Sequence, residues 1–345
     1  MKVVIMAGGK GLRFWPRSVD SKPKQFLALT SHESMLQQTY QRFLKYVDAR
    51  DIYVVAGSSY LELIYEQLPC LEKDHVIVEP DQRDTGPCIA LTARFFLKEG
   101  LDEVLITAPS DQYIPEDDAL WEALLKAERL ASENETIVTL GIVPTRPETG
   151  YGYIRTFPGQ TGGYAFRVDT FMEKPNEQKA KELFQQSDTY WNSGICIWKP
   201  STIAHYLRLY QSDLWEQLYG AEDNLEEVYA SMPRISVDYA ILEKAHTIYT
   251  IPVDFIWDDI GSWTSLERVF STDDNGNLLF GDVYGQNVND SIIYTDHQTV
   301  IAIGIEDLIV VSTKDGLLVC RKSEEQKIKN VIKSMEPTLV KEKDQ

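Results

Sequence analysis

The chain lacks any apolar run near the roughly 20 residues that a helix needs to cross a bilayer, which argues against a membrane span. No charged-then-apolar leader precedes Val3, where the fold already begins. Cysteine is scarce: Cys70, Cys88, Cys196 and Cys320 stand singly, with no C-x-x-C pair and no histidines at zinc spacing. A disulfide framework and a zinc site are therefore unsupported, and the thiols read as reduced and structural. Histidine is equally thin, with His32, His75, His205, His246 and His297 scattered along the chain, so histidine-based metal or triad chemistry has no visible support. Positive charge is short as well, 34 basic against 53 acidic residues and a formal net charge of -19. That balance argues against nucleic acid and anionic membrane as partners, since either needs a wide basic surface. What remains is a cytoplasmic globular chain whose 345 residues allow one large domain plus a smaller one, or two comparable ones.

What the chain does have is concentrated near its start. Val3, Val4, Ile5, Met6 and Ala7 read as a buried parallel strand, followed at once by Gly8, Gly9, Lys10, Gly11, Leu12 and Arg13. Glycines let a backbone approach a ligand closely, so successive amides can point at one anion, which suits a polyphosphate. Arg13, Arg17, Lys22 and Lys24 add a basic cluster that is out of character for so acidic a chain. The dinucleotide fingerprint fails because Phe14 stands where its third glycine belongs, and the Walker pattern fails because Leu12 follows Gly11. The residues instead resemble the G-G-x-G-x-R and K-P-K signature of sugar-1-phosphate nucleotidyltransferases. With Trp15-Pro16 and Gln25-Phe26 they resemble the mannose-1-phosphate guanylyltransferases in particular.

Strand and helix then alternate, with strands at Ile52–Ala56 and His75–Val78, which predicts a parallel sheet with ligands at the carboxyl ends of its strands. At one such exit, Glu79 is a carboxylate able to accept the N1 and N2 hydrogens of guanine. Asp84 or Thr85 caps the helix Cys88–Lys98, and Arg83 is placed to reach a phosphate, its direction left open. Resemblance to the family's base-recognition loop points the whole segment toward base and ribose. At the next exit, Ser110 and Asp111 follow the apolar run Val104–Ala108, and Asp111 has the chemistry to bind magnesium. The A-P-S-D resemblance favours that role over a turn or cap.

Two antiparallel strands, Thr149–Arg155 and Tyr164–Phe171, joined by the loop Pro158–Gly163, are expected to form a lid-like excursion over the sheet. Gly150 would leave an amide accessible to a sugar hydroxyl. Glu173 and Lys174 pair a hydroxyl acceptor with a phosphate donor, and Asn192 offers both donor and acceptor; the family uses these motifs for the sugar and its phosphate. Asp238 is a weaker candidate, since capping its own helix explains it equally well, and the helices over 201–244 read as packing. In Trp257–Trp263 the family motif W-x-D-x-G-S-W implies Asp259 as the second metal ligand and gives Asp258 none.

Asp273–Asn277 is a turn cluster without a calcium-loop register, and short apolar strands recur beyond it to a closing helix, Lys327–Met335, with a frayed tail from Lys341. The resulting fold class is α/β: a Rossmann-like, mixed but mostly parallel sheet in a nucleotidyltransferase domain over 1–272. The recurring short strands over 273–345 suggest a small all-β unit, and the resemblance implies that it is a small C-terminal left-handed β-helix domain with the terminal helix. The resemblance implies transfer of GMP from GTP to mannose 1-phosphate, giving GDP-mannose and pyrophosphate with Mg2+ as cofactor. Ala7, Gly8, Gly9, Gly11 and Ser110 join the nucleotide-binding set, and Arg13 and Lys24 are the catalytic cations. A sibling pyrophosphorylase for another sugar 1-phosphate or nucleotide, and a noncatalytic nucleotide-sugar sensor, are the alternatives. The oligomeric state is left open, with a homodimer among the arrangements. An added isomerase domain, carried by some family members, is not expected in a chain of this length.

Overall fold

The computed structural model describes residues 1–9, 11–133, 135–160 and 162–342. Lys10 in the glycine turn, Thr161 in the 158–163 loop and 343–345 in the tail lie outside the described residues. Two compact units interleave along the sequence. Met1–Gly8, Gln38–Ser110 and Ile114–Trp257 form the first, and Gly9–Gln37, Asp111–Tyr113 and Asp258–Gln345 the second.

The first unit is built on a nine-stranded sheet. Its strands are β1 (Lys2–Met6), β2 (Ile52–Gly57), β3 (Val76–Glu79), β4 (Leu105–Pro109), β5 (Ile137–Ile142), β6 (Tyr153–Thr156), β7 (Phe166–Met172), β8 (Thr189–Trp198) and β9 (Ile248–Val253), in the order β3-β2-β1-β4-β8-β5-β9-β7-β6. Strands β3, β2, β1 and β4 run parallel, β8 is antiparallel to β4 and β5, and β5 is parallel to β9. The parallel strands are continuous apolar runs because both faces are covered: Val3, Val4, Ile5 and Ile52 to Ala56 are all buried. This topology brings Ala7, Glu79 and Ser110 to the carboxyl edge of one sheet.

Local chemistry sets the helix bounds. Asp84, at φ +71°, caps the helix Thr85–Lys98 by accepting the Thr85 amide at 2.7 Å, and Gly100, at φ +72°, ends it. Asp84 is thus the cap, and the helix starts three residues earlier than the sequence suggests. The expected lid is corrected by the pairing. β6 bonds to both β7 and β8, and β7 bonds to β9, so the two strands are paired into the sheet between β8 and β9 instead of lying over it.

The second unit holds β10 (Leu278–Phe280), β11 (Val283–Asn289), β12 (Ile292–Thr295), β13 (Val300–Glu306), β14 (Leu308–Thr313) and β15 (Gly316–Arg321). β10, β12 and β14 stack parallel, as do β11 and β13, so Leu278, Ile292 and Ile309 stand in register as successive rungs of a β-helical coil. These buried rungs share one core with Phe14, Leu27, Leu29 and Met35 from the start of the chain and with Trp263. Gly316 is required there, because a Cβ would stand 2.6 Å from the Trp15 ring. The Arg17 guanidinium lies 4.2 Å from the centre of the Tyr294 ring. The terminal helix is Ile328–Glu342, running past the expected end at Met335. Among the described residues no helix is long and apolar enough to cross a membrane.

Candidate active site

Within the second unit, the glycine turn, Asp111 and Asp259 converge on one ammonium. Lys24, 6% exposed, donates to the Asp111 carboxylate at 2.7 Å, to the Asp111 carbonyl at 3.0 Å and to the Asp259 carbonyl. Three acceptors match the three hydrogens of an ammonium. Gly11, at φ +59°, makes this possible: a Cβ there would stand 2.4 Å from Lys24 Cβ, so no side chain fits between the turn and the lysine. A Cβ at Gly9, which sits at φ +96°, or at the exposed Gly8 would meet nothing within 4 Å among the described residues. Arg13 lies in the short 3-10 turn Leu12–Phe14, and its buried Nε has no hydrogen-bond partner among the described residues.

The loop bearing Asp259 is held from several sides of the same unit. Tyr113 and Asp258 exchange backbone bonds of 2.8 and 3.1 Å, which aligns the Asp111 strand exit with the aspartate pair. Asp258 is buried, accepts the Ile260 amide at 2.9 Å, and is gripped through both carboxylate oxygens by Arg268. Ile260 sits at φ +45°, a strained conformation for a β-branched residue. The Asp259 carboxylate folds toward Gly261, where a Cβ would come within 2.9 Å of Oδ2.

The Glu79–Thr85 loop belongs to the first unit. Glu79 is 5% exposed and accepts the Tyr229 hydroxyl at 2.6 Å. Burial raises its pKa, against the pull of the bonds from Tyr229 and the Arg83 backbone. Arg83 turns toward Asp81, at 2.7 Å, and the Met232 carbonyl, at 3.2 Å. Thr85 Oγ1 accepts the Val237 amide at 2.8 Å, and Asp84 is exposed at its cap. Ala7 is fully buried with its amide on the Val55 carbonyl, and the buried Ser110 hydroxyl has no hydrogen-bond partner among the described residues.

The candidate sugar residues also lie in the first unit. Glu173 ion-pairs with Lys174 and packs against Gly152, where a Cβ would stand 2.7 Å from its Oε2 and 3.4 Å from Asn192 Cβ. Asn192 accepts the Gly194 amide at 3.0 Å and donates to Asp238 at 3.2 Å. The Gly150 amide is not open in this structure; it donates to the Glu148 carboxylate at 3.0 Å. Asp238 thereby joins the Glu173 and Asn192 group. Burial and, next, the charge of Glu173 push its carboxyl up to about 6.

Sequence reasoning missed three supporting residues. Tyr229 sat unnoticed among helical packing residues. Arg268 gave no motif signal. Glu325, buried in the C-terminal segment, accepts the Ser262 hydroxyl at 3.0 Å and the Thr264 amide at 3.1 Å, seating the turn after Asp259. Glu79, the partner of Tyr229, is marked by its strand exit, whereas nothing in the sequence marks Tyr229, Arg268 or Glu325.

The nucleotidyl transferase family matches residues 2–276, and the MannoseP isomerase/GMP-like beta-helix domain matches residues 285–335. The chain is 36% identical to the mannose-1-phosphate guanylyltransferase RfbM of Salmonella typhimurium, over 95% of this chain and 71% of that protein. It is 35% identical to the alginate biosynthesis protein AlgA of Pseudomonas putida, over 96% of this chain and 71% of that protein. A crystal structure from Thermus thermophilus, described as a mannose-1-phosphate geranyltransferase, superposes with a TM-score of 0.87 at 34% identity, covering 97% of this chain and 99% of that one. The parallel strands with their glycine exit, the β-helical coil and these similarities agree: the chain belongs to the nucleotidyl transferase family and carries a MannoseP isomerase/GMP-like beta-helix domain.

Proposed function

We propose that this chain transfers GMP from GTP to α-D-mannose 1-phosphate, forming GDP-mannose and releasing pyrophosphate. The observation that carries the reading is the Lys24 node, where one ammonium gathers oxygens of Asp111 and Asp259 beside a glycine turn. The transfer needs no protein nucleophile. A phosphate oxygen of the sugar forms a bond to the α-phosphorus of GTP while the bond from that phosphorus to the bridging oxygen of pyrophosphate breaks. Positioning and charge neutralisation then supply the rate.

The donor set at Asp111 and Asp259 fits a hard divalent ion. Carboxylate and carbonyl oxygens already face a positive charge there, and magnesium takes few protein oxygens while keeping several waters. We assign Asp111 and Asp259 to hold Mg2+, which when bound neutralises phosphate charge. Lys24 orders both aspartates and is assigned to the α-phosphate or its attacker.

Arg13 is assigned to the triphosphate together with Ala7, Gly8, Gly9, Gly11 and Ser110; its buried, unpartnered Nε supports this, since such a donor is costly without an anion. Glu79 and the loop through Arg83, Asp84 and Thr85 are assigned to guanine and ribose. Glu173, Lys174 and Asn192 are assigned to the sugar phosphate, as is Gly150, whose amide must first release Glu148. We place the boundary between the two sequence modules after residue 272 and the protein in the cytoplasm, a compartment that suits four free cysteines.

The test is pyrophosphate release from each of the four nucleoside triphosphates with several sugar 1-phosphates. GTP with mannose 1-phosphate should give the highest kcat/KM. A faster pair, or no turnover with any pair, would overturn the assignment.

A further inference from the structure

The Glu79 carboxylate stands at the exit of β3 but faces inward. Its partner, Tyr229, is fully buried in the helix Leu225–Ser231. Burial, with Cys88 and Glu79 nearby, pushes the phenol far above its ordinary range, so it remains a hydrogen-bond donor at every working pH. The rest of the loop is fastened to the same stretch of chain. Arg83 donates to the carbonyl of Met232, the residue that ends that helix. The Gly86 amide donates to the Ile235 carbonyl at 2.9 Å, and the Val237 amide to Thr85 Oγ1 at 2.8 Å. Gly86 permits that approach, since a Cβ there would stand 2.6 Å from the Ile235 carbonyl oxygen.

We propose that Tyr229 is a positioning residue for nucleotide selectivity. By holding the Glu79 carboxylate inward it fixes the loop from Pro80 to Asp84, whose main-chain groups then present the edge that reads the base. This rests on the assignment of the loop to guanine given above. The Tyr229 bond engages one carboxylate oxygen of the nearly unexposed Glu79 at 2.6 Å and so fixes the direction in which the carboxylate and its loop face. A buried acceptor deprived of its donor is costly, so the pair is a stop that sets the loop's position.

The full-length chain tests this with Tyr229→Phe and Glu79→Gln, assayed with mannose 1-phosphate against GTP and ATP. Tyr229→Phe should raise KM for GTP about tenfold, leave kcat within about twofold, and lower the GTP/ATP ratio of kcat/KM about tenfold, the scale of one buried acceptor left unpaired. In a Glu79→Leu background, which removes the acceptor altogether, the same substitution should add less than about threefold, because the two residues act as one unit. Melting curves confirm that each variant is folded, and Tyr229→Met, which fills the same place with a pliable apolar side chain and likewise offers Glu79 no hydroxyl, stands in if Tyr229→Phe does not fold. An unchanged GTP/ATP ratio in folded Tyr229→Phe overturns the inference. So does a ratio that falls only in Glu79→Gln, which would make the carboxylate the direct reader. Absence of wild-type turnover with GTP would instead sink the functional assignment, and this inference with it.

Discussion

Arg268 grips Asp258 through both carboxylate oxygens, while Asp259, the next residue, gives its backbone carbonyl to Lys24. Adjacent aspartates are thereby held by different groups, Asp258 through its carboxylate and Asp259 through its carbonyl. Arg268→Ala leaves Asp258 buried without its counter-charge. We expect a stability loss of about 2–3 kcal/mol, toward the lower end for a broken buried pair because the guanidinium is a third exposed. Urea denaturation measures it, and a midpoint equal to that of the parent would show the pair to be inert.

Asp259→Asn and Arg13→Ala are expected to behave in the opposite way. Each should lower kcat by at least ~10²-fold, the scale for removing one preorganised charge-stabilising group, while leaving the denaturation midpoint nearly unchanged. Near-normal turnover of either variant at saturating magnesium would remove it from the assigned set.

Asp238 makes stability depend on pH. Its folded carboxyl sits at about 6 against an ordinary 3.8, raised by burial and by Glu173 and partly offset by Lys174, Ser236 and its own backbone amide. The folded state therefore prefers the protonated form. That contribution is complete below about pH 4 and is lost as the pH rises to about 6, above which the buried charge costs about 2–3 kcal/mol. Asp238→Asn should be more stable than the parent at pH 7.5, with the gap closing toward pH 4. Parallel stability curves for the two proteins across that range would contradict the assignment.

Glu325→Ala removes the acceptor for the Ser262 and Thr264 hydroxyls and the Thr264 amide. A loss of about 2–4 kcal/mol is expected, from several bonds to one buried carboxylate. Unfolding can be followed through the buried Trp263 beside it. Glu325→Gln, which keeps an acceptor for the hydroxyls, should fall between the two.

The sheet was readable because Val3 to Ala7 and Leu105 to Ala108 are unbroken apolar runs, and a strand covered on both faces has no other pattern to show. The residues at the strand exits were readable for the same reason, since a polar residue straight after such a run lies at the sheet edge. The partners of those residues were not. Glu79 meets Tyr229 150 positions away, and Asn192 meets Asp238 46 positions away, distances at which periodicity carries no information. Arg17 shows the same limit in reverse. Its place in a basic cluster suggests an anion, whereas its guanidinium stacks on Tyr294. The lid was misjudged because two antiparallel strands with a glycine-rich connection look the same whether they stand alone or extend a sheet.

The interleaving of the two units has a consequence for synthesis. Phe14, Leu27 and Leu29 leave the ribosome first, yet their core partners include Leu278, Ile292 and Ile309. Contacts of such long separation form late. A fragment cut after residue 272 would carry these side chains without those partners, uncovered and sticky, so the β-helical coil is the cover of an apolar surface that the chain makes hundreds of residues earlier.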